Sequence, residues 1–120
     1  MKRTKIIQLN DKKIFFCDLK GIERDEIIAV SKETWSIIKS ELGTGEKANF
    51  LIDITNVQIP PKIMEEISTL AELNKDNIAK EGVIGINGFR RTLINIYGWA
   101  IGSQLKAFED RELAMHWLAS

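Results

Sequence analysis

The chain has 120 residues, of which 44% are hydrophobic and 28% are charged, and its 17 basic and 17 acidic side chains give a formal net charge of zero. This is the composition of an ordinary globular protein, and we expect one domain over residues 1–120. The balanced charge argues against a general nucleic-acid-binding role, and no apolar run approaches the roughly 18 residues that a transmembrane helix needs.

The N-terminus and the cysteine content indicate the compartment. Residues 1–10, MKRTKIIQLN, carry basic side chains but lack the long apolar segment of a secretion signal. Cys17 is the single cysteine, so no disulfide can form within the chain. We therefore expect a soluble cytoplasmic protein.

The chain opens with a predicted β-hairpin. Residues 5–9 and 13–19 are typical of two short strands around the turn dipeptide Asn10-Asp11. Four consecutive apolar residues in the second strand indicate that it is buried on both faces rather than at an exposed edge. Cys17 belongs to this apolar run, so we interpret it as a small core residue rather than a reactive thiol.

A long helix and a central strand follow the hairpin. Residues 24–42 predict a helix with one apolar face, which Gly43 terminates. The residues of that face are spaced seven, three and four apart, and they are Ile28, Trp35, Ile38 and Leu42. Residues 48–55, ANFLIDIT, predict the central strand of a sheet.

The second half of the chain alternates helices and strands. The predicted elements are, in order, a helix, a strand, a helix, a strand and a helix over residues 61–77, 83–86, 89–101, 104–108 and 110–118. The apolar stripes predicted for the first and last of these helices are Ile63, Ile67, Leu70 and Ala71, and Leu113, Ala114, Trp117 and Leu118. The order β-β-α-β-α-β-α-β-α predicts an α/β fold with a single mixed sheet that is parallel after the opening hairpin.

Four strings of this sequence resemble the small bacterial STAS-like proteins, the SpoIIAA-like group that is distantly related to anti-sigma-factor antagonists. The strings are IFFCDLKG, LIDITNV, GVIGINGFRRTLIN and KAFEDRELAMHWL, at residues 14–21, 51–57, 82–95 and 106–118. They mark strands, turns and packing positions, and the resemblance covers nearly the whole chain. It implies a β-α superhelix with one sheet and helices packed against it.

For true anti-sigma-factor antagonists the resemblance also implies a switch, in which a serine just after the central strand is phosphorylated by a partner kinase. The corresponding stretch here, residues 56–62, reads NVQIPPK and contains no serine. The nearest hydroxyl group is that of Thr55, at the end of the predicted strand. We therefore expect no serine phosphorylation switch in this chain.

The stretch 82–91, GVIGINGFRR, is the first candidate ligand-binding site. A glycine turn that leads into a helix exposes free amides, so Asn87 and Gly88, with the positive charges of Arg90 and Arg91, are candidates to hold a phosphate or carboxylate group. The spacing matches no phosphate-loop or dinucleotide motif, and no cofactor is indicated. The alternative is a tight turn whose arginines are solvated.

Asp53 and Thr55 are the second candidate, because ligands of open α/β sheets bind at the carboxyl ends of the strands. Asp53 is expected near that rim, where it could bind a cation or act as a base. A lone carboxylate is a weak metal site, so no metal is predicted. The alternative is that Asp53 braces a neighbouring loop through hydrogen bonds to its backbone.

The predicted helix over residues 89–101 is apolar on more than one side. A helix that packs on a sheet needs one apolar stripe, so the second stripe is a candidate surface for a partner chain, a membrane surface or an apolar ligand. The alternative is burial beneath neighbouring helices or loops. The residues proposed for this partner or apolar surface are Phe89, Leu93, Ile94, Ile96, Tyr97 and Ile101.

No grouping of residues indicates catalysis. His116 is the single histidine, and its place in the last predicted helix favours a surface position. Nothing in the sequence places a nucleophile, a base and an orienting group together, so no catalytic residue is assigned and we expect a protein without enzymatic activity.

The sequence leaves two candidate functions, of which we expect the first and keep the second as the alternative. The first is a regulatory protein–protein interaction module, which binds another protein or a second copy of itself through the apolar helix. The second is a module for a small anionic or amphipathic molecule such as a lipid, with its head group near residues 88–91 and its tail along Leu93, Ile96 and Tyr97. The second function predicts an enclosed apolar pocket.

Overall fold

The computed structural model describes residues 3–85 and 104–120, and in these ranges the alternating pattern of the sequence gives one five-stranded sheet with helices on both faces. The strands are β1 (Thr4–Leu9), β2 (Lys12–Asp18), β3 (Ala48–Asp53), β4 (Ile78–Ile84) and β5 (Gln104–Phe108). The helices are α1 (Ile27–Glu41), α2 (Pro61–Leu73) and α3 (Arg111–Ala119). None of these helices is long and apolar enough to span a membrane.

The strands lie in the order β1-β2-β3-β4-β5. β1 and β2 are antiparallel, and each later pair is parallel, which confirms the predicted mixed sheet. The turn between β1 and β2 has Asn10 and Asp11 at φ values of 50° and 63°. Two successive left-handed residues of this kind match the right-handed twist of a hairpin, and asparagine and aspartate tolerate that conformation better than most side chains.

β2 is the most completely buried strand of the sheet. Its four central side chains are all buried, and they point alternately to the two faces: Ile14, Phe15, Phe16 and Cys17. Phe15 and Cys17 pack beneath α1 and α2, whereas Ile14 and Phe16 pack with α3. The prediction that this strand is buried on both faces is therefore confirmed.

The structure corrects three details of the predicted helices. A 3-10 turn at Arg24–Glu26 precedes α1, so the buried face of α1 begins at Ile27, which is fully buried, and not at Ile28. α2 ends at Leu73, four residues before its predicted end, because the backbone tightens into a second 3-10 turn at Lys75–Asn77. In α3, Leu113 is 55% exposed, since it lies about 100° around the helix from the buried Ala114.

The strand predicted at residues 83–86 begins earlier than its apolar run. β4 starts at Ile78, and its first half includes two charged residues, Lys80 and Glu81. Because these charged side chains interrupt the apolar pattern, the sequence predicts only the later part of the strand. The helix predicted at residues 89–101 lies outside the described residues.

Candidate functional site

The carboxyl ends of β2, β3 and β4 lie side by side because these strands are parallel. Asp18 and Asp53 are register partners at the ends of β2 and β3, and Gly85 directly follows β4. The amide of Ile54 donates to the carbonyl of Ile84 at 2.9 Å, so the loop after β3 is fastened to the end of β4. We call this edge of the sheet the carboxyl rim.

Two of the predicted ligand-binding residues, Asp53 and Thr55, are in direct contact at the carboxyl rim. Asp53 Oδ1 accepts a hydrogen bond from the Thr55 amide at 2.9 Å and another from the Thr55 hydroxyl at 2.6 Å. This arrangement agrees with the alternative in which Asp53 braces its own loop. The remaining predicted ligand residues lie outside the described part of the chain, and they are Asn87, Gly88, Arg90 and Arg91.

Gly85 comes unusually close to this braced loop. Its φ of 89° is a left-handed conformation that side chains other than glycine rarely adopt. A Cβ atom at this position would collide with the backbone nitrogen and the hydroxyl of Thr55 and would lie 2.6 Å from the Thr55 Cα. Glycine is therefore required here by both conformation and space.

Asp18, the acidic residue at the end of β2, is also bonded within its own loop. Asp18 Oδ1 accepts a hydrogen bond from the Lys20 amide at 3.0 Å. Within the described ranges, no group of three or more histidine, cysteine, aspartate or glutamate residues is arranged to hold a metal ion.

The single histidine and the single cysteine lie where the sequence predicts them. His116 is exposed in α3. Cys17 is 2% exposed, and burial raises the pKa of its thiol, so the thiol stays protonated near neutral pH. The hydroxyl of Thr34 lies 3.4 Å from Cys17 Sγ and donates to the Val30 carbonyl at 2.8 Å.

The predicted partner surface, which includes Phe89 and Ile101, lies outside the described residues. In the ranges that the structure describes, three large hydrophobic side chains are exposed, and they belong to three different elements: Ile6 in β1, Leu73 in α2 and Leu113 in α3. Leu73 is the most exposed of them, at 74%. Single exposed residues of this kind are common on protein surfaces and do not form an apolar patch.

Sequence reasoning missed a small cavity between the sheet and the helices α1 and α2. Its volume is about 40 Å³, and we call it the α2 cavity. Its lining is mostly apolar and comes from α1, α2, three strands and the residue that follows β2: Cys17, Leu19, Ser31, Thr34, Trp35, Phe50, Ile52, Ile67, Leu70, Ala71 and Glu81. A cavity of this size has room for about one water molecule.

Glu81 is the one carboxylate in that lining. It is partly buried in the middle of β4, where it is the register partner of Phe50 in β3 and of Leu105 in β5. Burial raises the pKa of Glu81 to about 7, because the surrounding apolar groups disfavour the charged form. Its carboxylate has no hydrogen bond or ion pair in the structure as described.

A signal for Glu81 does exist in the sequence. In the string IAKEGVI, Glu81 and Val83 are two residues apart, so they lie on the same face of any strand that contains both. The strand predicted at residues 83–86 includes Val83 but leaves out residues 78–82. The prediction therefore does not place the Glu81 carboxylate on the core face.

Solved structures include a relative of this fold. No protein-family model and no curated protein matches the sequence significantly. Among solved structures, the chain is similar to an uncharacterised protein of the DUF3478 family with a SpoIIAA-like fold from Shewanella loihica PV-4, with a TM-score of 0.68 and 19% sequence identity. The match covers 96% of this chain and 91% of that one, so it concerns the whole fold. The chain has the SpoIIAA-like, STAS-type α/β fold that its sequence resembles.

Proposed function

We propose that this chain is a non-enzymatic binding module for a small amphipathic molecule, whose apolar part enters the α2 cavity. The observation that carries the proposal is the combination of a void in an apolar core with a carboxylate that has no partner among the described residues. Both features cost free energy of folding. A core shaped for stability alone would contain an apolar side chain at position 81.

The packing of α2 supports the proposal. None of the α2 side chains is buried, although Ile63, Ile67 and Leu70 pack against the core from their partly buried positions. Segments with few buried contacts separate from a fold at lower free energy than segments of the core. An outward shift of α2 would enlarge the cavity from about 40 Å³ toward the volume that a ligand needs.

The position of the ligand's head group rests on the sequence alone. We place an anionic head group near residues 88–91, and Asp53 and Thr55 of the carboxyl rim are the other residues proposed to bind it. The loop after β3 supports this placement, because the hydrogen bonds from Thr55 to Asp53 order the loop and so give the head group a fixed surface to bind. We also retain the cytoplasm as the expected compartment.

Native mass spectrometry tests the ligand-binding proposal. The protein is purified from its own host and measured before and after denaturation, and a small molecule that is present only before denaturation is the expected result. Ala71→Phe, which fills the cavity from α2, should reduce the bound fraction strongly. Glu66→Phe adds the same bulk at an exposed position of the same helix and should leave it unchanged. Ligand-free protein in every sample contradicts the proposal.

A regulatory protein–protein interaction module is the second candidate function. The loop after β3 favours a form of regulation that does not use phosphorylation. The Thr55 hydroxyl is partly buried and donates to Asp53, so a phosphate on Thr55 would face the Asp53 carboxylate and be repelled by it. Such a module would act by binding alone, with a protein partner or as a homodimer.

The oligomeric state and a single substitution test the second candidate. The surface proposed for the partner is the predicted helix over residues 89–101. Sedimentation analysis over a range of concentrations should show a dimer or a complex with a captured partner, and Ile94→Glu should dissociate it. A monomer at all concentrations that captures no partner contradicts this candidate.

A further inference from the structure

We propose that Glu81 is the polar anchor of the α2 cavity and that it selects a molecule with an amine on a small apolar body. This inference rests on the proposed ligand-binding function and names the chemistry of the group that enters the cavity. It concerns the part of the ligand beneath α2, not the head group that the sequence places near residues 88–91.

The position of Glu81 directs its carboxylate into an apolar environment. The side chain lies on the α1 and α2 face of β4, between Phe50 of β3 and Leu105 of β5 in the sheet register. From above, α2 contributes Ile67, Leu70 and Ala71 to the lining of the same cavity. None of these side chains can donate a hydrogen bond to a carboxylate.

The two hydroxyl groups of the lining are already committed to the backbone of α1. The Ser31 hydroxyl donates to the Ile27 carbonyl at 2.8 Å, and the Thr34 hydroxyl donates to the Val30 carbonyl at 2.8 Å. Each hydroxyl has one proton to donate. Neither of them is therefore available to Glu81 unless the helix gives up a hydrogen bond.

The lysines nearest to Glu81 in the sheet are held on the opposite face. Lys80 Nζ donates to the Trp117 carbonyl at 3.0 Å, and Lys106 Nζ lies 5.6 Å from the centre of the Phe108 ring. Both ammonium groups thus contact the α3 side of the sheet. Among the described residues, Glu81 has no cation to balance its charge when it ionises.

The other charged groups of the surrounding elements are exposed or bonded elsewhere. On α1 and α2 these groups are exposed, and they are Lys32, Glu33, Lys39, Glu41, Lys62, Glu65, Glu66 and Glu72. Cys17 is the other titratable group in the lining, and burial keeps its thiol neutral by raising its pKa. On β3, Asp53 lies at the carboxyl rim and is bonded to Thr55.

An amine supplies the positive charge that the described lining of this site lacks. An ammonium group donates up to three hydrogen bonds and balances the carboxylate charge, and its apolar body matches the rest of the lining. A carboxylate ligand would place a second negative charge against Glu81 and is disfavoured. A neutral alcohol donates one hydrogen bond without balancing the charge, so we expect it to bind more weakly than an amine.

Three probes of equal chain length test the proposal: n-hexylamine, 1-hexanol and hexanoate. Each is titrated into the isotope-labelled full chain, and binding is followed by NMR shifts of the cavity residues at about pH 8.5 and about pH 5.5. We expect hexylamine to bind best at the higher pH, where Glu81 is ionised, and to weaken about tenfold at the lower pH. The binding of hexanol should depend little on pH, and hexanoate should bind most weakly of the three probes.

Two variants complete the test. Glu81→Gln keeps the shape of the side chain and should weaken hexylamine binding at least about tenfold while it leaves hexanol binding nearly unchanged. Glu66→Gln makes the same change at an exposed position of α2 and should affect neither probe. If the Glu81 variant fails to fold, the pH dependence and the order of the three probes in the unaltered protein still decide the matter.

The outcomes separate this inference from the proposed function. If hexanol and hexanoate bind in the cavity as well as hexylamine, or if Glu81→Gln leaves amine binding unchanged, the selection of an amine is wrong and the binding function stands. If none of the three probes shifts the cavity residues at either pH, the ligand-binding function is wrong as well.

Discussion

Thr55 donates two hydrogen bonds to a single carboxylate oxygen of Asp53. The hydroxyl donates to Asp53 Oδ1 at 2.6 Å, and the amide donates to the same atom at 2.9 Å. The loop that leaves β3 is thereby closed at the carboxyl rim, and Asn56 follows in a left-handed conformation with a φ of 58°. The contact sets the direction of the chain toward α2, because a fixed turn at the strand end determines where the helix begins.

We expect Asp53→Ala to destabilise the protein by about 1–3 kcal/mol, because it removes the acceptor of both hydrogen bonds and leaves two partly buried donors without it. Asp53→Asn is the matched control, since its side-chain oxygen can still accept from Thr55, and it should cost less. Urea unfolding of the three proteins measures the difference. Equal stabilities of the two variants would show that the contact does not hold the loop.

Gly85→Ala should destabilise the protein more than the same substitution at another glycine with a left-handed backbone conformation. The added Cβ would collide with Thr55, and the φ of 89° adds conformational strain, so we expect a loss of several kcal/mol or no folded protein. Gly21 provides the control, because its φ is 67° but no atom beyond its two chain neighbours lies within 4 Å of its added Cβ. Gly21→Ala should therefore cost only about 1–2 kcal/mol.

The two glycine variants are compared by thermal unfolding under the same conditions. If the two variants are destabilised equally, steric contact with Thr55 contributes nothing, and backbone strain alone explains the loss of stability.

Much of the fold could be predicted from the sequence, because the patterns that indicate its strands, turns and helices each lie within a short stretch of the chain. The Asn10-Asp11 turn, the apolar run of β2 and the predicted start of the last helix at residue 110 each depend on a few neighbouring residues. In the structure Asp110 caps that helix, since its Oδ1 accepts a hydrogen bond from the Leu113 amide at 2.9 Å. Alternation of such elements then suffices to indicate a mixed α/β sheet.

The α2 cavity could not be predicted in the same way. Its existence depends on how α2 is placed over the sheet, and that placement is set by contacts between elements that are far apart in sequence. Ile67 and Phe50 line the same cavity, but nothing local to either residue indicates a void between them. Glu81 was missed for a related reason, since its environment is defined by strands on both sides.

Lys80 links β4 to the end of α3, and its removal should loosen that helix. Its Nζ donates to the Trp117 carbonyl at 3.0 Å and lies 5.3 Å from the centre of the Trp117 ring. A cation near the last carbonyls of a helix is also favourable for the helix dipole. We expect Lys80→Met, which keeps the apolar stem, to destabilise the protein by about 1–2 kcal/mol.

Chemical unfolding followed by tryptophan fluorescence measures the effect of Lys80→Met. Lys106→Met is the control, because Lys106 lies 5.8 Å from the same ring but has no hydrogen bond to the helix in the structure as described. The control should change the stability by less than about 1 kcal/mol. A larger loss in the control than in Lys80→Met would contradict the role of the hydrogen bond.

Glu81 should make the stability of the protein depend on pH in an unusual direction for a carboxylate. Burial raises its pKa from 4.5 to about 7, so between these values the folded protein holds a proton that the unfolded chain has released. The contribution of Glu81 to the free energy of unfolding is therefore fully present below about pH 4.5, and it is lost as the pH rises through about 7. The shift corresponds to a loss of about 3 kcal/mol.

Glu81→Gln carries no charge at any pH, so the variant should lack this decline and should be more stable than the unaltered protein above about pH 7. Urea unfolding at steps between about pH 5 and about pH 8.5 measures the free energy of unfolding of both proteins. The difference between the two values at each pH cancels the contributions of the titrating groups that both proteins share. Glu66→Gln, at an exposed position of α2, should follow the unaltered protein throughout. If Glu81→Gln also runs parallel to the unaltered protein, the carboxylate is solvated in the folded state and the cavity is open to water.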